Sequence, residues 1–329
     1  MKTQRPNVVV IGGGTGSFTV LSGLKDYDVS LSAIITTMDS GGSTGKLRDQ
    51  LGVLPPGDLR QALVALSEAP EIWRNLFLYR FEKGDLKGHN FGNIFLSAIE
   101  KITNSNQEAL DRASQILQTN GRVIPVTFSK TSLCAEYEDG TIVKGEDGIG
   151  ESHKRGKISR MFLNPKVQIN LEAKRAMERA DYIIFGPGDL YTSIIPNLLV
   201  SGMQETLSHL NAKGIFVINL MRKPDQTRDF KVSTFIDELE KYTGKGFLDC
   251  VVVNTKKPSR KLITRYKKVD RATPIEDDVG KTYSKAKIVR SKLLSKEKIK
   301  ISKSDGLDRS LIRHDPYKLA RVLFSIISS

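Results

Sequence analysis

Two glycine-rich turns, about one β-α unit apart, constrain this chain more than any other feature. The first, Gly12-Gly13-Gly14-Thr15-Gly16-Ser17, follows the apolar run Val8-Val9-Val10-Ile11. The second, Asp39-Ser40-Gly41-Gly42-Ser43-Thr44-Gly45-Lys46, follows Leu31-Ser32-Ala33-Ile34-Ile35. Each closes a run of strand length and opens a stretch with helical spacing. Both therefore fall at the same edge of one sheet. Backbone N–H groups clustered at such strand-to-helix turns hold phosphate groups. A third turn of this kind, Gly186-Pro187-Gly188-Asp189-Leu190-Tyr191-Thr192-Ser193, follows the run Tyr182–Phe185.

Strand and helix patterns alternate along most of the chain. Strands are expected at 7–11, 31–36, 123–128, 167–171, 182–185, 215–220 and 250–254. Helices are expected at 17–24, 71–83, 91–102, 106–118, 194–208, 234–242 and 316–327. A short helix or turn at 47–51 is broken by Pro55-Pro56-Gly57, and Asp58 stands where a helix N-cap is expected before Leu59, Leu63 and Leu66. Runs 133–137 and 141–144 flank Asp139-Gly140, a strong hairpin signal. Segment 145–157 is polar and reads as an exposed loop. The pattern predicts an α/β, Rossmann-like, doubly wound and mainly parallel sheet. It reads as one domain over 1–329, with a β-rich elaboration near 121–171 and a helical C-terminus.

Bulk composition narrows the function classes. The chain has 329 residues and is 39% hydrophobic, ample for a buried core. No apolar run approaches the roughly 18 residues that a membrane-spanning helix needs. The first strand begins too close to Met1 for a signal peptide. Cys134 and Cys250 are far apart and lack metal-ligand spacing, which reads as two buried thiols. A cytoplasmic protein is expected. The net charge is +14, and it is concentrated in 256–303, where 17 Lys/Arg stand against five Asp/Glu. That stretch has few aromatics and no zinc-finger spacing. It reads as a lysine-rich solvated face, so a nucleic-acid partner is not expected.

The turns fit no standard nucleotide motif in full. Gly12-x-Gly14-x-x-Ser17 has serine where the dinucleotide fingerprint needs its third glycine, although Asp39 sits where the ribose-binding acid belongs. The second turn fails the Walker A pattern at Ser40 and Leu47. Gly13, Gly14, Thr15, Gly16, Ser40, Gly41, Gly42, Ser43 and Thr44 remain the expected phosphate contacts, with Lys46 and Arg48 as cations. Asp39 and Asp58 are candidate ligands for Mg²⁺, a hard cation that also meets diphosphate oxygens; for Asp58 the alternative is a plain N-cap. Asn90 and Asn93, in Gly88-His89-Asn90-Phe91-Gly92-Asn93, read as hydrogen-bonders to a base or sugar. His89 reads as a proton-transfer group or as structural. Gly186, Gly188, Thr192 and Ser193 supply the third turn, and Asn219 ends the next strand. There is no Gly-x-Ser-x-Gly elbow, no activated cysteine and no metal-spaced histidine pair.

These motifs, with Pro56-Gly57-Asp58-Leu59-Arg60, occur in an order that resembles the gluconeogenesis factor family, related to the 2-phospho-L-lactate transferases. The resemblance spans roughly 6–255 and the last helix. It implies a Rossmann-like fold whose glycine turns bind a nucleotide. The transferase branch moves a phospholactyl-type group from a guanosine diphosphate carrier to a deazaflavin alcohol, with Mg²⁺ at acids whose positions Asp39 and Asp58 match. The gluconeogenesis-factor branch implies a binder of nucleotide sugars, notably UDP-N-acetylglucosamine, needed for cell shape on gluconeogenic carbon sources. Arg313-His314-Asp315 resembles that branch's C-terminal motif, with Arg313 either a diphosphate contact or a surface residue. Arg222-Lys223-Pro224-Asp225-Gln226-Thr227 departs from the branch, which is more neutral there, and Pro316 stands where some members carry a phosphorylatable threonine. The expected ligand is a nucleotide diphosphate or nucleotide sugar, and the expected assembly a homodimer.

Overall fold

The first elements of the chain are β1 (Asn7–Gly12), α1 (Gly14–Leu24), β2 (Ser30–Ile35), α2 (Gly42–Leu51), α3 (Pro56–Leu66), α4 (Glu71–Leu78), α5 (Phe91–Thr103) and α6 (Asn106–Leu117). The computed structural model describes residues 5–150, 156–224, 226–269, 272–295 and 312–329. Strand β3 (Arg122–Pro125) leads into a small unit of β4 (Ser132–Tyr137), β5 (Ile142–Lys144), α7 (Glu146–Gly150) and β6 (Ile158–Asn164). Then come α8 (Leu171–Glu178), β7 (Tyr182–Phe185), a π-helical turn (Leu190–Ile194), α9 (Ile195–Leu198), α10 (Met203–Ser208) and β8 (Lys213–Val217). The rest comprises β9 (Met221–Arg222), α11 (Val232–Thr243), β10 (Leu248–Asn254), α12 (Arg260–Val269), β11 (Thr273–Pro274), β12 (Thr282–Tyr283), β13 (Ala286–Ser291) and α13 (Pro316–Ile327).

Eight strands form the central sheet in the order β12-β13-β10-β8-β7-β1-β2-β3. Every neighbouring pair is parallel except β12 with β13. From β1 the chain builds outward one way through β2 and β3, then returns and builds the other way through β7 and β8. The switch point lies between β1 and β7, and open α/β sheets bind ligands in the crevice there.

Strand β1 shows why the sheet is buried on both faces. Val8 and Val10 join one core with Leu21, Leu63 and Leu323, whereas Val9 and Ile11 join the other with Phe185, Phe216 and Phe235. A continuous apolar run is what a two-sided parallel strand requires. No helix among the described residues is long and apolar enough to cross a membrane. Both cysteines are free and buried.

Some expected elements differ. The helix after the second turn begins at Gly42, so Ser43 to Lys46 lie on its first turns and not in a loop. Segment 145–157 is not all exposed loop: 146–150 is helical and Ile149 is fully buried, while 151–155 lie outside the described residues. No strand forms at 167–171, because Asn170 accepts the Glu172 N–H and caps α8. The helix expected over 194–208 is interrupted at Gly202, whose φ is +91°. Asp58 is not an N-cap; Pro55 holds that position and Asp58 lies within α3. Within the basic segment, the described part holds α12 and the strands β11 to β13, and 296–311 lie outside the described residues. In β13, buried Ala286 and Ile288 alternate with exposed Lys287, so its lysines mask a strand.

Candidate functional site

Turns one and three meet at the switch point, and turn two lies one strand away. Turns one and three follow the adjacent strands β1 and β7, and turn two follows β2. Gly16 packs so closely on turn three that a Cβ there would stand 1.7 Å from the Pro187 carbonyl oxygen. A Cβ on Gly13 would stand 2.4 Å from Asp58 Oδ2. Gly57, also in α3, backs onto Thr44 and Asp39 of turn two. The N-terminus of α3 is thus the wedge between turns one and two. Side-chain amides brace the arrangement from below. Asn219 accepts the Gly188 N–H at 2.8 Å and donates to the Gly188 carbonyl at 2.7 Å. Asn197, which the sequence reading did not single out, donates to the Gly12 carbonyl at 3.2 Å.

Turn two carries its own polar network. Asp39 Oδ1 accepts the Gly41 N–H at 2.8 Å, and the Thr44 hydroxyl donates to the same carboxylate. The Arg48 guanidinium bonds Asp49 at 2.7 Å and the Asp39 carbonyl at 3.4 Å. Gly42 and Lys46 face solvent, leaving this end of α2 open. Ser40 Oγ accepts the Glu146 N–H at 3.0 Å.

Asn90 and Asn93 do not present free amides to a base or sugar. Asn90 caps α5 by accepting the Asn93 N–H and donates to the Tyr79 carbonyl at 3.0 Å. Asn93 Oδ1 accepts the Nε–H of buried Arg60 at 2.8 Å. Buried polar groups claim their partners first. The pair instead supports α2 from behind: Ser43 Oγ accepts the Asn90 N–H at 3.3 Å. His89 Nδ1 lies 3.2 Å from the same Oγ. Burial, with the charges of Lys46 and Arg80, holds the His89 ring below its ordinary pKa.

Carboxylates converge over these turns. Burial, then the Asp39 charge, pushes Asp58 up to about 8, although the Gly14 N–H bonds it. Burial also raises Asp39 against the pull of the Gly41 N–H. The hairpin unit adds acids that the sequence reading missed. Glu146 is raised by burial and by Asp39, Asp58, Asp189 and Asp147, and Asp147 Oδ1 would meet a Cβ on Gly41 at 3.0 Å. The doublet Glu146-Asp147 was visible in the chain; its place beside Ser40 was not. Among the described residues, no group of three or more His, Cys, Asp or Glu is arranged as a ready metal cage. Two mutually repelling, half-buried carboxylates are a donor set that would suit Mg²⁺, which keeps waters and takes phosphate oxygens.

Turn three is less open than expected. Thr192 is buried and Ser193 half-buried. The Asp189 carbonyl already accepts the N–H groups of Ser193 and Ile194, at 2.8 and 3.2 Å. Arg313 lies on the strap that pairs His314 with Leu294. The neighbouring His314 bonds the backbone of Ile218, next to Asn219. The fold brings Arg313 beside the strand end that supports turn three, one step removed from turns one and two.

The model of the 2-phospho-L-lactate transferase CofD family matches residues 8–294. The chain belongs to this family. It is 36% identical over 327 residues to the gluconeogenesis factor of Bacillus subtilis, covering 98% of this chain and 99% of that protein. It is 40% identical over 280 residues to the gluconeogenesis factor of Halalkalibacterium halodurans, covering 84% and 86%. A crystal structure of a Bacillus halodurans protein superposes with a TM-score of 0.89 at 34% identity, covering 98% of this chain and 100% of that one. The α/β fold and the family both agree with what the ordered motifs implied.

Proposed function

We propose that this chain binds a nucleoside diphosphate across its three turns, carried as a nucleotide sugar of the UDP-N-acetylglucosamine type. In this reading it is a cytoplasmic, homodimeric regulator needed for cell shape and for growth on gluconeogenic carbon sources. One observation carries the binding site: turns one and three mesh at the switch point, with turn two one strand away. The name of its full-length relatives, gluconeogenesis factor, supports the link to growth on gluconeogenic carbon sources. The N–H groups of Gly13, Thr15 and Gly16 and of Gly42 to Thr44 serve the phosphates, and Lys46 supplies charge at the open end of α2. A regulatory role fits the side chains. The Ser43–His89 contact has no orienting carboxylate among the described residues, and Ser43 Oγ already serves Asn90. Burial raises both cysteine thiols. Calorimetry with UDP-N-acetylglucosamine tests the reading: single-site binding is expected, and no heat at millimolar ligand would sink it.

The Asp39–Asp58 pair favours a second reading, a Mg²⁺-dependent transferase of a phospholactyl-type group. Asp39 and Asp58 would hold the ion, which when bound neutralises charge on the diphosphate. Group transfer of this kind needs positioning and charge neutralisation more than a covalent nucleophile. Turnover is measured with a nucleotide-activated phospholactate, a deazaflavin acceptor and Mg²⁺. No product, or equal turnover after Asp39→Asn, removes this reading.

A further inference from the structure

The residue that closes turn three is held more firmly than phosphate binding requires. Asp189 follows Gly188, whose N–H and C=O are both tied to Asn219. Its own carbonyl accepts the Ser193 and Ile194 N–H groups. The backbone on both sides of the Asp189 side chain is therefore fixed. Lys223 Nζ then bonds Asp189 Oδ2. Lys223 is itself placed by a tight turn: its N–H donates to Thr227 Oγ1 at 3.0 Å, and its carbonyl accepts the Thr227 N–H at 2.8 Å. Thr227 is buried, which anchors that turn in the protein.

Only one carboxylate oxygen is used by this pair. Asp189 Oδ1 takes no hydrogen bond among the described residues, and the side chain keeps 29% of its surface exposed. Turn three rests on turn one through Gly16 and Pro187, so the open oxygen stands beside the phosphate turns. Asp189 also lies close enough to the crevice for its charge to act on Asp58 and Glu146. A carboxylate accepts hydroxyl hydrogens well and repels other anions.

We propose that Asp189 determines specificity for the distal group of the ligand by accepting a hydroxyl hydrogen from a neutral, hydroxyl-bearing group on the diphosphate, with Lys223 as the positioning residue that orients the carboxylate. This rests on the nucleotide-sugar reading above and adds the recognition element for the sugar end. An acidic distal group in the same place faces the Asp189 carboxylate and is disfavoured.

The test is calorimetry on the full chain with three probes: UDP, UDP-N-acetylglucosamine and UDP-glucuronate. The wild-type protein should bind the neutral sugar nucleotide more tightly than UDP, and the acidic one less tightly than the neutral one. In Asp189→Asn, the advantage of UDP-N-acetylglucosamine over UDP should shrink by about tenfold, the scale of a hydrogen bond to a charged group. Discrimination against UDP-glucuronate should shrink with it. Lys223→Met should lower the same ratio in the wild-type background and leave it unmoved in the Asp189→Asn background. A merely structural pair would weaken all three probes by one common factor, and that result overturns the inference. Binding of all three probes by the wild type with equal affinity overturns it too, while leaving the nucleotide site standing. If none of the three binds, the nucleotide reading itself falls and takes the inference with it.

Discussion

The switch-point end and the far edge belong to one sheet, yet their charges are handled oppositely. At the switch point, half-buried Asp39 and Asp58 are each pushed toward protonation by desolvation. At the far edge, beyond β10, charges are paired on the surface: Arg290 bonds Asp277 at 2.7 Å, and the Tyr283 hydroxyl bonds Asp237 at 2.9 Å. The backbones differ as well. Turns one and three touch through a glycine that nothing larger can replace, whereas Lys287 of β13 simply faces solvent. The far edge follows the ordinary rules for a stable surface. The switch point departs from them at two carboxylates whose charge only a bound cation would compensate.

The largest expected effect tests the backbone half of that contrast. Gly16→Val puts side-chain atoms into the Pro187 carbonyl and must force turns one and three apart. A loss of about 3 kcal/mol or more in denaturant unfolding is expected. Lys287→Ala should stay within about 0.5 kcal/mol of wild type. Comparable losses would erase the distinction between the two regions.

The next test concerns the buried acids. Asp58 is raised to about 8 in the folded protein from an ordinary value of 3.8. The folded state therefore binds more protons across that interval, and stability must fall as pH rises through it. In the presence of a chelator, Asp58→Asn should raise the melting temperature, and by more at pH 8 than at pH 5. A gain independent of pH would show that the Asp58 charge costs nothing in the fold.

A smaller effect of opposite sign belongs to the C-terminal strap. Burial holds His314 down at about 4, from an ordinary 6.5. The neutral ring's contribution is whole above 6.5 and is lost as pH falls toward 4. Amide protection factors at Ser295 and Asp315, whose N–H groups bond the Arg313 and Leu293 carbonyls, should fall over that range once the intrinsic pH dependence of exchange is divided out. His314→Gln should flatten the dependence.

The parts legible in the chain were those with local causes. A glycine turn after an apolar run, or Asp139-Gly140 between two alternating runs, announces itself within ten residues. Convergence across the chain does not. Glu146 reaches Ser40 from 106 positions away, and Asp189 reaches Lys223 only because β7 and β8 are neighbours. Asn90 and Asn93 looked like ligand contacts because nothing in the sequence tells that Arg60 is buried and needs an acceptor. β13 was hidden because its lysines supply the exposed half of the alternation.

Hydrogen–deuterium exchange of the intact chain, with and without UDP-N-acetylglucosamine, tests the central claim most directly. Joint slowing is expected in 13–17, 40–46 and 186–193, three segments that only the neighbouring carboxyl ends of β7, β1 and β2 bring together. Protection confined to 256–295, or none at saturating ligand, would contradict it.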